Sequence, residues 1–214
     1  MRLNRHMIRP FIATLTVACI AIAACAADKD AAQPPIVTPA PPDDPTAPPS
    51  DAIVLFDGKD LSQWTHADGK PATWQVEDGV ASGGGGGGDL VTKRQFSDVQ
   101  LHLEFNLPES GKGHGNSGLY FHHLYEVQII DSYNENKYAP TQQCAALYKN
   151  FPPRVNVCKA PGEWQTYDII FHAAQVDAAG KVTQPARFTV FHNGVLVQYN
   201  RPLWKGTGGG AKNA

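Results

Sequence analysis

The feature that most constrains this chain is strict two-residue alternation, with no long stretch of helical period to compete with it. From Val99 to Leu107, the side chains of Leu101, Leu103, Phe105 and Leu107 fall on one side and those of His102, Glu104 and Asn106 on the other. That is the pattern of a strand with one buried face. Tyr125, Val127 and Ile129 alternate in the same way with Glu126 and Gln128, and Tyr167, Ile169 and Phe171 with Asp168 and His172. Phe188 and Val190 repeat the pattern just before His192-Asn193-Gly194-Val195. The Asn-Gly pair there predicts a tight hairpin, because a type I′ turn needs positive φ at both central residues. Short strands punctuated by Gly, Pro and Asn indicate an all-β sandwich or jelly roll of two antiparallel sheets. In such a sandwich the apolar faces meet inside. A polar face carrying Glu, Gln, His and Tyr is then either solvated surface or, on a concave sheet, a sugar-binding cleft. The six glycines Gly83 to Gly88 read as a flexible loop between two strands. No Lys-Ser/Thr or helix pattern follows to make them a phosphate loop.

The N-terminus predicts the compartment. Arg2, Arg5 and Arg9 precede an apolar stretch, Phe11 to Ala24, that is too short to span a bilayer. It ends in Ile22-Ala23-Ala24-Cys25, which resembles the lipobox cut by lipoprotein signal peptidase. The resemblance predicts a leader over 1–24, acylation of Cys25, and a cell-envelope protein held to a membrane by its lipid. The other reading is an ordinary secretory signal cleaved after Ala24 or Ala26. Residues 25–51, rich in Ala, Pro and Asp, read as an extended tether, and residues 52–214 as one domain. Losing the three leader arginines from 18 basic residues leaves 15 against 20 acidic ones, a formal net charge of −5. With no Lys/Arg cluster besides, nucleic acid is excluded as a partner. Cys19 leaves with the leader and Cys25 is lipidated. Cys144 and Cys158 remain, and in an oxidising compartment they are expected to form a disulfide. A metal pair is the lesser alternative, since no second Cys/His pair stands at ligand spacing. No metal or other cofactor is expected.

A set of motifs then recurs in order. It begins with Leu55-Phe56-Asp57-Gly58-Lys59-Asp60-Leu61-Ser62-Gln63-Trp64, Trp74-Gln75-Val76-Glu77-Asp78-Gly79-Val80 and Asp89-Leu90-Val91-Thr92-Lys93. The centre holds Gly115-Asn116-Ser117-Gly118-Leu119-Tyr120 and Tyr125-Glu126-Val127-Gln128-Ile129-Ile130-Asp131-Ser132-Tyr133. Pro161-Gly162-Glu163-Trp164-Gln165-Thr166-Tyr167-Asp168-Ile169 and His192-Asn193-Gly194-Val195 close the series. Together they resemble the 3-keto-disaccharide hydrolase family over nearly all of residues 52–200. The resemblance implies a concanavalin-like jelly roll. It also implies a reaction on a small carbohydrate whose C3 hydroxyl a separate sugar oxidoreductase has turned into a ketone. A base removes the acidified C2 proton, the C1 substituent is eliminated, and water adds back, so a 3-keto-glycoside is hydrolysed overall. In the family the chain runs on past a Gly-Thr to an Asp-His-Gly and an Arg-Asn-Ile-Trp strand. Here it ends at Gly206-Thr207-Gly208-Gly209-Gly210-Ala211-Lys212-Asn213-Ala214, so the resemblance leaves open whether the sandwich has its last strand.

That chemistry needs a base, donors to the enolate and an acid for the leaving oxygen. Alternation puts Glu126 and Gln128 on one face with Asp131 at the strand end. Glu126 is the candidate base, Gln128 a ligand for the sugar, and Asp131 an acid or a hydroxyl ligand. The alternative is a plain polar sheet face. Tyr120 and His122 share a face by the same count. Tyr120 is expected to contact substrate and His122 to exchange protons near neutral pH, although a lone surface His is the commoner case. Asn116 is either a turn residue or a substrate ligand. Trp164 is a core residue first and a sugar-stacking platform second. His114 stands where relatives often carry Arg. A non-catalytic carbohydrate-binding module on the envelope is the competing function, since many jelly rolls only bind sugars.

Overall fold

The computed structural model describes residues 47–83, 87–109, 114–134 and 138–207. The expected leader, the acylated Cys25 and the tether up to residue 46 lie outside these residues, as does the end of the chain after Thr207. Two compact units emerge, Met1–Leu55 and Phe56–Ala214. In the first, the described residues form a turn closed by Ala52 N–H donating to Pro49 O at 3.0 Å.

Among the described residues, the regular structure of the second unit is all strand apart from one 3-10 turn, Pro140–Gln142. Its strands are β1 (Trp64–His66), β2 (Gln75–Glu77), β3 (Val80–Ser82), β4 (Leu90–Thr92), β5 (Val99–Asn106), β6 (Ser117–Phe121), β7 (Tyr125–Ile129), β8 (Trp164–His172), β9 (Gln175–Val176), β10 (Val182–Gln184), β11 (Ala186–His192) and β12 (Val195–Leu203). All pairings are antiparallel. One four-stranded sheet runs β12-β11-β8-β5, and β6 pairs with β7 in a hairpin of its own. Register lines up the apolar positions in rows across the sheet: Val99–Phe171–Phe188, Leu101–Ile169–Val190 and Leu103–Tyr167–His192. The odd-numbered residues of β7, with Phe121, close the core from the opposite side. Phe121 lies 4.8 Å from Phe171 and edge-on to Phe188 at 5.2 Å. Two facing antiparallel layers around such a core are the jelly-roll class of sandwich. The β11–β12 turn is the expected one, with Asn193 and Gly194 at φ 51° and 76°. Asn193 also ties the turn down, its Oδ1 accepting from Thr166 N–H at 3.0 Å and its Nδ2 donating to Val157 O at 2.9 Å.

The glycine run joins β3 to β4, and its described members are packed rather than loose. A Cβ on Gly83 or Gly87 would stand 2.8 Å from the Trp74 ring, and Trp74 Nε1 donates to Gly88 O at 2.9 Å. Glycine is required at both places so that the backbone can lie against the indole.

His192 is buried in the core, its Nε2 donating to Gln165 Oε1 at 2.9 Å. Burial, helped by the charge of Lys159, holds its pKa down at about 4, against about 6.5 for an exposed His. Between these values the unfolded chain takes up a proton that the folded one refuses. Stability is therefore expected to fall as pH drops from 6.5 towards 4, by up to about 3 kcal/mol. Urea melts across that window should show a shallower slope in His192→Gln; identical slopes would refute the assignment.

Cys144 and Cys158 are buried thiols hydrogen-bonded to each other, with the Cys144 Sγ also 3.1 Å from the Tyr167 hydroxyl. The Cys144 thiol, against the effect of burial, holds Cys158 down at about 6. The same contact, reinforced by burial, drives Cys144 up. A thiolate facing a thiol is the reactant pair for disulfide closure. With oxidised glutathione, both thiols are expected to become protected from alkylation in the unfolded protein, and stability to rise by about 3 kcal/mol. Two alkylatable thiols after that treatment would exclude the bridge.

Candidate active site

The site grows from the β6–β7 hairpin. Its turn places His122 and His123 at φ 53° and 57°, closed by Leu124 N–H donating to Phe121 O at 3.0 Å. Register then sets Tyr120 opposite Glu126 and Gly118 opposite Gln128. Along the other edge of β7 runs the segment 145–148. Gln128 N–H donates to Ala146 O at 2.9 Å and Tyr148 N–H donates to Glu126 O at 3.1 Å. Glu126 is thus held in the middle of a three-stranded strip. Tyr125, Val127 and Ile129 point into the core, which turns Glu126 and Gln128 to the outer side.

That outer side is covered. Every residue of β7 is buried, with Glu126 7 % and Gln128 3 % exposed, so of the two expected readings the plain solvated face does not hold. The missing side chain of Gly118 makes room for Glu126: a Cβ there would lie 2.5 Å from Oε1 and 2.8 Å from Cγ of Glu126. The Tyr120 hydroxyl is hydrogen-bonded to the Glu126 carboxyl. Burial raises the Glu126 pKa, and the bond from Tyr120 and the charge of Lys149 partly offset it. Tyr120 is half-exposed at the rim. Burial first, then the neighbouring Glu126 carboxylate, pushes its phenol well above the usual value, so it stays a proton donor. Glu126 N–H donates to the buried Thr207 Oγ1 at 2.7 Å, which clasps the strand under the carboxyl. Gln128 contributes its Nε2, 3.5 Å from Asn116 Oδ1, while its Oε1 accepts from Ile129 N–H at 3.1 Å.

Three expected site residues are not brought here. His122 sits in the hairpin turn rather than on the Tyr120 face, with Nε2 3.0 Å from Phe96 O and its ring edge-on to core residue Phe171. Its left-handed backbone breaks the alternation that placed it beside Tyr120. Asp131 lies five residues from Glu126, about 16 Å along an extended chain. It serves its own loop: Oδ1 accepts from Tyr133 N–H at 3.1 Å and Oδ2 stands 3.7 Å from His114 Nδ1. Trp164 is not a core residue. It begins β8 opposite Asn106, 48 % exposed, on the outer face of the four-stranded sheet. The core separates it from Glu126. Tyr148 and Lys149 border Glu126 from an irregular segment with no alternation to read in the sequence. No cluster of three or more His, Cys, Asp or Glu that could hold a metal occurs among the described residues.

The arrangement offers a buried carboxylate with a raised pKa, a phenol able to donate, and a cation, together at the rim of one strip. Comparison with known proteins says which family the chain belongs to. The family model described as a 3-keto-alpha-glucoside-1,2-lyase-like domain matches residues 51–212. A crystal structure of a protein provisionally named a glycosyl hydrolase, from Parabacteroides distasonis ATCC 8503, is 39% identical with a TM-score of 0.77, over 83% of this chain and 78% of that one. A second from the same organism, also so named, is 22% identical with a TM-score of 0.55, over 71% and 74% of the two chains, and shares the fold. No curated protein matches the chain. The chain belongs to the family of 3-keto-alpha-glucoside-1,2-lyase-like domains, jelly-roll proteins that process glycosidic carbohydrates.

Proposed function

We propose that this protein cleaves 3-keto-glycosides by elimination and rehydration, with Glu126 as the base. The observation that carries the reading is the Glu126 carboxyl: buried, raised above the ordinary carboxylate range, and bonded to the Tyr120 phenol. A carboxylate so placed is a better base towards a carbon acid than an exposed one. Only a ketone at C3 makes the C2 proton acidic enough for it.

Glu126 takes the C2 proton, and the C2–H electron pair becomes the enolate across C2 and C3. The enolate collapses back to the C3 ketone, a C1–C2 double bond forms, and the C1–O bond breaks with its electron pair on the leaving oxygen. Tyr120 gives its proton to that oxygen and recovers one from Glu126, which closes the proton balance. Water then adds at C1 and a proton returns to C2. Asn116, exposed beside the base, holds a sugar hydroxyl, and the buried Gln128 steadies it from beneath.

The protein incubated with 3-keto-trehalose is expected to release glucose and 3-keto-glucose through a transient 3-keto-glucal, and to leave trehalose intact. Equal cleavage of the two sugars would overturn the elimination.

A further inference from the structure

The elimination passes negative charge to the C3 oxygen, and the residues so far assigned put no positive charge there. Lys149 is the candidate. Its backbone follows directly on Tyr148, whose N–H is bonded to Glu126 O. The segment 145–149 that flanks the base begins and ends with left-handed residues that are not glycine, Ala145 at φ 64° and Lys149 at φ 58°. Glycine or asparagine is the ordinary choice for such a position, so a lysine there spends backbone strain to keep its side chain at that point. The strained turn is well braced. Lys149 N–H donates to Thr141 O at 2.8 Å, Asn150 N–H to Leu147 O at 2.8 Å, and Asn150 Nδ2 to Tyr148 O at 3.0 Å. The ammonium lies 5.1 Å over the Tyr148 ring, and Gln142 Nε2 reaches the Tyr148 hydroxyl at 3.5 Å, which fixes that ring in turn. Lys149 is open to solvent and its charge is felt at the Glu126 carboxyl, so a molecule bound at Glu126 can reach it.

We infer that Lys149 is a further catalytic residue of this site, donating to the C3 carbonyl oxygen of the bound sugar and holding the charge of the enolate formed at Glu126. The inference rests on the proposed 3-keto-glycoside cleavage and assigns to it the group that distinguishes a ketone from a hydroxyl at C3. No proton needs to leave the ammonium. The charge gathers on oxygen beside it, then returns through C2 to expel the leaving group.

Lys149→Gly separates this role from a structural one, because glycine relaxes the left-handed backbone while removing the amine. With 3-keto-trehalose as substrate, kcat is expected to fall by about 10² to 10³-fold, the usual worth of one stabilising donor to a developing oxyanion. KM should change little, and the melting temperature should hold or rise. Lys149→Ala with added methylammonium should regain part of the lost rate. Wild-type kcat in Lys149→Gly would overturn the assignment and leave the reaction standing. A lower melting temperature in Lys149→Gly, with no amine rescue of Lys149→Ala, would mark the residue as structural and overturn it equally. A wild-type protein inert towards 3-keto-trehalose would overturn the reaction and the assignment together.

Discussion

Glu126→Gln is expected to lower turnover of a 3-keto-glycoside by two to four orders of magnitude, the range a positioned general base contributes. The amide keeps the size of the carboxyl and a partner for the Tyr120 hydroxyl, so the strip should stay folded and substrate should still bind. Removing a buried ionisable group whose pKa burial has raised should also not weaken the fold at neutral pH, since there the ionised form is the costly one. By the same linkage, the wild type loses stability as pH climbs from 4.5 through the raised value, because the folded state holds its proton longer than the unfolded state does. Glu126→Gln should flatten that part of the curve. In catalysis the acid limb of kcat/KM should lie above 4.5. A mutant within a few fold of wild-type turnover would remove Glu126 from the mechanism.

Gly118→Ala should disturb the same carboxyl through one methyl group. Gly118 does not sit in the left-handed region, so alanine fits its backbone. The new Cβ, however, would fall 2.5 Å from Oε1 and 3.0 Å from Cδ of Glu126, and carbon and oxygen do not approach so closely. The carboxyl must swing aside and give up its bond to Tyr120. A displacement of about 1 Å at a reacting group costs on the order of 10²-fold in rate, and overpacking costs about 1–3 kcal/mol of stability. A double-mutant cycle isolates the cause. With Glu126→Ala in place the methyl meets no carboxyl, so Gly118→Ala should then cost little stability. The same loss in both backgrounds would show that the glycine serves the strand and not the base.

The alternation in Val99–Asn106, Trp164–His172 and Ala186–His192 was enough to determine three strands and which side of each is buried, while their order in one sheet came from the tertiary structure. With one face in the core, a one-residue slip would turn every apolar side chain outward. Asn193-Gly194 likewise determined its hairpin, because its backbone demand is local. Alternation also placed Glu126 and Gln128 on a common face. What period alone could not say is what stands over that face. Only the tertiary structure decided that it is buried, since the cover comes from Gly118 and Tyr120 on β6, the irregular segment 145–149, and Thr207, 81 positions along the chain from Glu126. His122 leaves the face its spacing gave it for a local reason, whereas Trp164 keeps the period of β8, which turns it away from Tyr167, Ile169 and Phe171. Side-chain direction follows the period only while the backbone stays extended, and the left-handed turn at His122–His123 ends it. Whether the face opposite the core meets solvent or another layer is a long-range property. For Trp164 it is solvent, for Glu126 the side chains of neighbouring segments, and no spacing within either strand distinguishes the two.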